Sequence, residues 1–127
     1  MMLNQYGLVA VVDDDASMRN ALRRLLVARR FQVQTFESAE ELLQSPVLDQ
    51  IACVVSDIDL RDGMSGLDLA KRMLDRKHGA PVVFITGAAD ANVRGRAESL
   101  GCAAFFEKPF CSEKFVESIA KAITGAK

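Results

Sequence analysis

The chain has 127 residues, half of them hydrophobic and 26% charged. That length suits one domain around one core, and the composition excludes a disordered chain. Sixteen Lys and Arg against seventeen Asp and Glu leave a formal charge of −1, which excludes a generally basic protein held on nucleic acid by phosphate contacts. No apolar run approaches the ~18 residues that span a bilayer, so no membrane partner is expected. Met1–Gly7 lacks a basic flank and an apolar stretch, so no secretory leader is expected either. Cys53, Cys102 and Cys111 are odd in number and lack C-x-x-C spacing, and His78 is the single histidine. Together they argue against a disulfide scaffold and a zinc cluster and for a cytoplasmic address.

Taken in chain order, apolar runs alternate with segments of helical period. Leu8–Val12 is continuously apolar, as a strand covered on both faces would be. Met18, Leu22, Leu25 and Leu26 then fall at i, i+4, i+7 and i+8, with Arg19, Arg23, Arg24 and Arg30 mostly on the other side. In Phe31–Phe36, Phe31, Val33 and Thr35 alternate with Gln32 and Gln34, the pattern of a half-solvated edge strand. Ser38-Ala39-Glu40-Glu41 reads as a capping box opening a short helix that stops before Pro46. Ile51–Val55 is the third strand, and Leu67, Ala70, Met73 and Leu74 mark a helix that ends near Gly79 and Pro81. Val82–Ile85 is the fourth strand, followed by a helix capped by Asp90 and running to Leu100, with Gly101 beyond it. Ala103–Phe106 is the fifth strand, and Phe115, Val116, Ile119, Ala122 and Ile123 carry a last helix to Gly125.

Five strand–helix repeats predict a single α/β domain, a doubly wound parallel sheet with helices on both faces. An edge strand second in the chain predicts the order 2-1-3-4-5, which reverses between strands 1 and 3. Ligands of such sheets sit there, at the carboxyl ends of the strands.

The polar residues gather at that edge. Asp13, Asp14 and Asp15 follow the first strand, Asp57 and Asp59 the third, Thr86 the fourth, and Lys108 the fifth. Helix capping alone could account for Asp15, and each of the others has an ordinary reading as a solvated loop residue. Jointly, carboxylates converging in a crevice repel one another and raise each other's pKa unless a cation intervenes. A hard divalent ion with oxygen ligands resolves the conflict. Mg2+ favours one or two carboxylates plus waters and phosphate oxygens, so a phosphoryl group is the expected guest.

Val11-Val12-Asp13-Asp14-Asp15 with Met18-Arg19, Val54-Val55-Ser56-Asp57, Gly63-Met64-Ser65-Gly66-Leu67-Asp68-Leu69, Phe84-Ile85-Thr86-Gly87 and Phe105-Phe106-Glu107-Lys108-Pro109-Phe110 occur in that order. With them the chain resembles the receiver domain of two-component response regulators over essentially residues 1–127, and no effector domain is expected in this chain. The resemblance implies the flavodoxin-like, CheY-like form of the fold. It implies Asp57 as phosphoacceptor, taking its phosphoryl group from a sensor histidine kinase or a histidine phosphotransfer protein. It further implies Mg2+ (or Mn2+ in its place) on Asp14, Asp57 and the backbone carbonyl of Asp59, with Asp13 holding a metal-bound water. Lys108 would pair with the phosphoryl oxygens, across a cis Lys108–Pro109 bond, and Thr86 would hydrogen-bond one of them. Thr86 and Phe105 would form the switch, with Phe106 equally apolar beside it, and would alter the face of helix 4, strand 5 and helix 5. That face would meet a downstream effector or a second copy, and the first helix, with Met18 and Leu22, would meet the kinase. No direct nucleic-acid contact by this chain is expected.

Two features depart from the family pattern. Leu60-Arg61-Asp62-Gly63 has no proline and makes the spacing from Asp57 to Gly66 one residue long. Asp59 adds a carboxylate that is expected either to change the phosphoryl lifetime, tested by Asp59→Asn, or to be simply solvated. Asp57-Ile58-Asp59 also resembles the nucleophile motif of haloacid-dehalogenase-type phosphatases, the alternative reading. There, however, the acidic metal pair follows the lysine, whereas Asp13-Asp14 opens this chain. A flavin or nucleotide binder would want a Gly-rich loop where Asp13-Asp14-Asp15 stands.

Overall fold

The alternating pattern resolves into β1 (Leu8–Val12), α1 (Ala16–Ala28), β2 (Gln32–Phe36), α2 (Ala39–Leu43), β3 (Ile51–Asp57), α3 (Gly66–Asp75), β4 (Val82–Thr86), α4 (Ala91–Ser99), β5 (Ala104–Glu107) and α5 (Ser112–Thr124). The structure is a computed structural model and describes residues 7–61, 63–88 and 90–125. The expectation on Met1–Gly7 therefore falls almost wholly outside the described residues, as does Asp62 of the proline-less loop. All strand pairings are parallel, in the order β2-β1-β3-β4-β5. Gln32 and Gln34 of β2 face solvent while Phe36 is buried, as an edge strand requires.

The two-residue period of the strands divides the core into two layers. Ala10, Val12, Val54 and Phe84 pack on one side with Leu42, Leu69 and Met73 from α2 and α3. Val9, Val11, Cys53, Val55, Val83 and Ile85 pack on the other with Leu22 and Leu26 of α1 and Phe115 and Ile119 of α5.

The differences from expectation are local. Strand β3 runs two residues further than its apolar run, because its ladder with β4 continues to Asp57↔Ile85. Asp57 and Thr86 are thus the last residues of their strands rather than loop residues. Phe31 is buried but precedes β2, and β5 lies one residue later than Ala103–Phe106. On α3, Leu74 is 56% exposed and Leu69 takes the buried place. Ser38 caps α2 through Glu41 N–H (3.0 Å), but the Glu41 carboxylate reaches past it to the Glu37 N–H (2.9 Å). A reciprocal box closes instead at Ser65–Asp68 on α3. Asp15 and Asp90 cap α1 and α4 as their sequence positions suggest. His78 is committed to structure: Nε2 meets the Leu48 carbonyl at 2.8 Å and Nδ1 accepts from the Ala80 N–H at 3.2 Å. Among the described residues, no helix is long and apolar enough to cross a membrane.

Candidate functional site

At the carboxyl edge, where β1 and β3 part company, three charged side chains meet on a buried floor. Asp13, directly after β1, is wholly buried. Its Oδ1 accepts from the Asp15 N–H at 2.9 Å, while its Oδ2 has no hydrogen-bond partner among the described residues. Lys108 Nζ lies 4.0 Å from that Oδ2 and 2.9 Å from Asp57 Oδ2. Asp57 Oδ1 accepts from the Asp59 N–H at 2.9 Å. Beneath Asp57, the backbone of Gly66 packs so closely that a Cβ there would collide with the Asp57 carbonyl oxygen. Glycine at the start of α3 is thus a condition of the floor. The Lys108–Pro109 peptide is cis.

The rim is built from loops and the last residue of β4. Asp14 Oδ2 accepts from the Arg61 N–H at 2.8 Å and lies 3.8 Å from Arg61 Nε. Thr86, fully buried, donates its hydroxyl to Asp59 Oδ2 at 3.2 Å and accepts from the Ala88 N–H at 3.2 Å. The Thr86 carbonyl accepts from the Lys108 N–H at 2.8 Å, which ties the ends of β4 and β5 together. The floor therefore unites Asp13, Asp57 and Lys108, the rim joins Thr86 to Asp59, and Asp14 is turned to Arg61.

Burial pushes the Asp13 carboxyl above the usual carboxylate range, and the charges of Asp57 and Asp14 add to it against Lys108 and the Asp15 N–H. Burial works against the Lys108 ammonium, but the Asp57 hydrogen bond and the charges of Asp57, Asp13 and Asp15 outweigh it and hold its pKa up. The floor thus carries an excess of negative charge with one buried oxygen unsatisfied. Among the described residues, no group of three or more His, Cys, Asp or Glu side chains stands ready-made around a metal position. Mg2+ does not need one, since it keeps several waters and takes one or two carboxylates. The orphaned Asp13 Oδ2 and the oxygen-only donor set fit such an ion.

Two residues, named in the sequence only within a motif and a loop, turn out to belong to the site. Arg19 Nη1 donates to the Asp13 carbonyl at 2.8 Å; side chains on a helix lean toward its N-terminus, so an arginine in the first turn of α1 reaches back to the strand end. Arg61 left no signal, because its partner lies far away in sequence. Behind β4, the two adjacent phenylalanines part. Phe106 is locked in a ring cluster with Phe110 and Phe115, each pair 5.0–5.6 Å apart. Phe105 is half-buried on the other layer, with the Arg94 guanidinium 4.5 Å above its ring.

The family model for the response regulator receiver domain matches residues 9–120. The transcriptional regulatory protein FixJ of Bradyrhizobium diazoefficiens is 36% identical over 120 residues, covering 94% of this chain and 58% of FixJ. The DNA-binding transcriptional regulator NtrC of Escherichia coli K12 is 33% identical over 120 residues, covering 94% of this chain and 25% of NtrC. The chain thus spans about half the length, or less, of these curated relatives. Among solved structures, FixJ-N superimposes with a TM-score of 0.83 at 31% identity, covering 95% of this chain and 96% of that one. The receiver protein from Pseudoalteromonas atlantica gives 0.86 at 27% identity, covering 94% and 99%.

Proposed function

Because this chain belongs to the response regulator receiver domain family, the signalling domain of two-component systems, we propose that it is a phosphoryl-accepting switch with Asp57 as the acceptor. The observation that carries the proposal is the floor: Lys108 Nζ sits 2.9 Å from Asp57 Oδ2, beside a buried Asp13 oxygen with no hydrogen-bond partner. The donor is a phosphohistidine on a sensor kinase or a phosphotransfer protein. One Asp57 oxygen attacks phosphorus, the P–N bond breaks, and its electron pair returns to the imidazole of the donor. Phosphoryl transfer asks the protein mainly for positioning and charge neutralisation. Lys108 supplies a fixed positive charge at the acceptor, and the Asp59 N–H holds the other Asp57 oxygen in place. Mg2+, when bound, would supply the remaining charge neutralisation. Asp13, Asp14, Asp57 and the Asp59 carbonyl are the residues that would hold it. The chain promotes only its own phosphorylation and dephosphorylation. Nothing in the comparisons supports the phosphatase alternative.

The donor's approach is supported by a groove beside Lys108, lined by Met18, Leu22, Leu25, Pro109 and Phe110, where α1 meets the loop before α5. For the output, Thr86 turns to the phosphoryl group and Phe105 fills the space behind it, biasing the α4–β5–α5 face toward a downstream effector or a second copy. Phe105 is the mobile candidate because Phe106 is held by two other rings.

Acetyl phosphate with Mg2+, read by intact mass, tests the proposal, since the chain has no tryptophan for a fluorescence readout. The protein should gain about 80 mass units, one phosphoryl group, and Asp57→Ala should gain none. A wild-type mass that never changes overturns the reading.

A further inference from the structure

We propose that Asp59 is a positioning residue that holds Thr86 in its resting orientation, so that the carboxylate two places beyond the acceptor sets how readily the switch is thrown. This rests on the phosphoacceptor reading above.

The argument is one of proton counting. A threonine hydroxyl has a single proton to donate. In the resting structure that proton goes to Asp59 Oδ2 at 3.2 Å, while the Ala88 N–H supplies the hydroxyl's incoming bond at 3.2 Å. Thr86 is wholly buried and its carbonyl is tied to the Lys108 N–H at 2.8 Å. The backbone carbonyl is therefore held, and although the O–H proton can swing about the Cβ–Oγ1 bond, the hydroxyl oxygen itself moves from Asp59 toward Asp57 by rotating about χ1. Asp59 is anchored from the other side, since its own N–H donates to Asp57 Oδ1 at 2.9 Å. A continuous path thus runs from acceptor to Asp59 to switch hydroxyl. Thr86 cannot donate to Asp59 and to a phosphoryl oxygen on Asp57 at once, so the resting bond must break before the active one forms. An ionised acceptor makes that resting bond stronger than a neutral one would. Removing the acceptor takes its differential free energy from the resting side and shifts the population toward the active orientation.

Charge alone offers a rival account, because Asp59 would also repel an arriving phosphoryl group. Two readouts separate them: the Thr86 χ1 rotamer in the unliganded protein, from NMR scalar couplings, and the affinity for beryllofluoride with Mg2+, a phosphoryl stand-in. Asp59 is exposed, so its variants should fold. In Asp59→Ala, the Thr86 rotamer should become averaged without any ligand, and beryllofluoride should bind about threefold to tenfold tighter, the scale of one partly exposed hydrogen bond. Asp59→Asn keeps an acceptor oxygen and should retain most of the resting rotamer. In a double-mutant cycle with Thr86→Val, the gain from Asp59→Ala should vanish. An unchanged rotamer in Asp59→Ala overturns the proposal. So does an equal gain in Asp59→Ala and Asp59→Asn that persists beside Thr86→Val, since that is repulsion alone. If the wild type takes neither beryllofluoride nor a phosphoryl group, the phosphoacceptor reading fails instead, and the rotamer measurement still decides whether Asp59 holds Thr86.

Discussion

On the floor of the crevice, Asp13, Asp57 and Lys108 are set by strand ends and leave a buried oxygen without a hydrogen bond. On the rim, Asp14, Asp59, Arg61 and Thr86 satisfy one another through loop contacts. The floor is rigid and electrostatically unfinished, whereas the rim is finished and rearrangeable. On the proposed reading, an incoming cation or phosphoryl group would complete the first and would have to compete with contacts already made in the second. Rigidity where charge must be placed, and exchangeable bonds where a state must change, is the division of labour expected of a switch.

Substitutions on each side should divide accordingly. The largest effect is expected under the floor: Gly66→Ala drives a methyl into the Asp57 backbone and should cost about 2–3 kcal/mol, as overpacking does, read as a lowered urea midpoint. Next, Asp13→Asn removes a buried carboxylate whose ionised form burial disfavours. Without metal it should stabilise the protein by about 1 kcal/mol, and the rise in thermal midpoint on adding Mg2+ should shrink. On the rim, Arg61→Ala keeps the N–H that Asp14 accepts from and loses only an exposed guanidinium. Mn2+ affinity, followed by its EPR signal, should rise about twofold to threefold at low salt, and the gain should fade at high salt. A rim that behaved like the floor would show a large, salt-independent change.

The smallest effect belongs to a surface control away from the crevice. Arg29 of α1 pairs with Glu113 of α5, and that hydrogen bond and charge hold the Glu113 carboxyl below its ordinary value. A carboxyl with a depressed folded pKa contributes stability above its unfolded pKa, about 4.3 for glutamate, and loses it as pH falls through the folded value. Glu113→Gln should therefore lower the thermal midpoint slightly at pH 7 and not at all once wild-type Glu113 is protonated.

The floor was legible in the sequence because a parallel sheet converts chain order into place: whatever follows an apolar run lands at the carboxyl edge. Asp13, Asp57 and Lys108 could be gathered that way. Asp14, Asp59 and Thr86 of the rim were placed at the same edge, but their pairings could not be read, because Asp14–Arg61 and Asp59–Thr86 are set by loop paths that no periodicity encodes. Capping shows the same limit at a finer scale. Ser38-x-x-Glu41 and Ser65-x-x-Asp68 have one spacing, yet only the latter closes reciprocally. The extra methylene of Glu41 carries its carboxylate one residue further back. Leu74 fitted the helical pattern of α3 and still faces solvent, because its stripe is narrower than the apolar positions suggested.

Helix α4 adds one consequence. Ala97 is its only wholly buried residue, and Arg94 lies across the Phe105 ring. By contrast, α5 is moored by Phe115, Val116 and Ile119. Of the two helices flanking β5, α4 can therefore slide or fray without opening the hydrophobic interior, and its amides should trade protons with solvent sooner than those of α5. If Thr86 acts as proposed, a displacement starting there would meet its least resistance at α4.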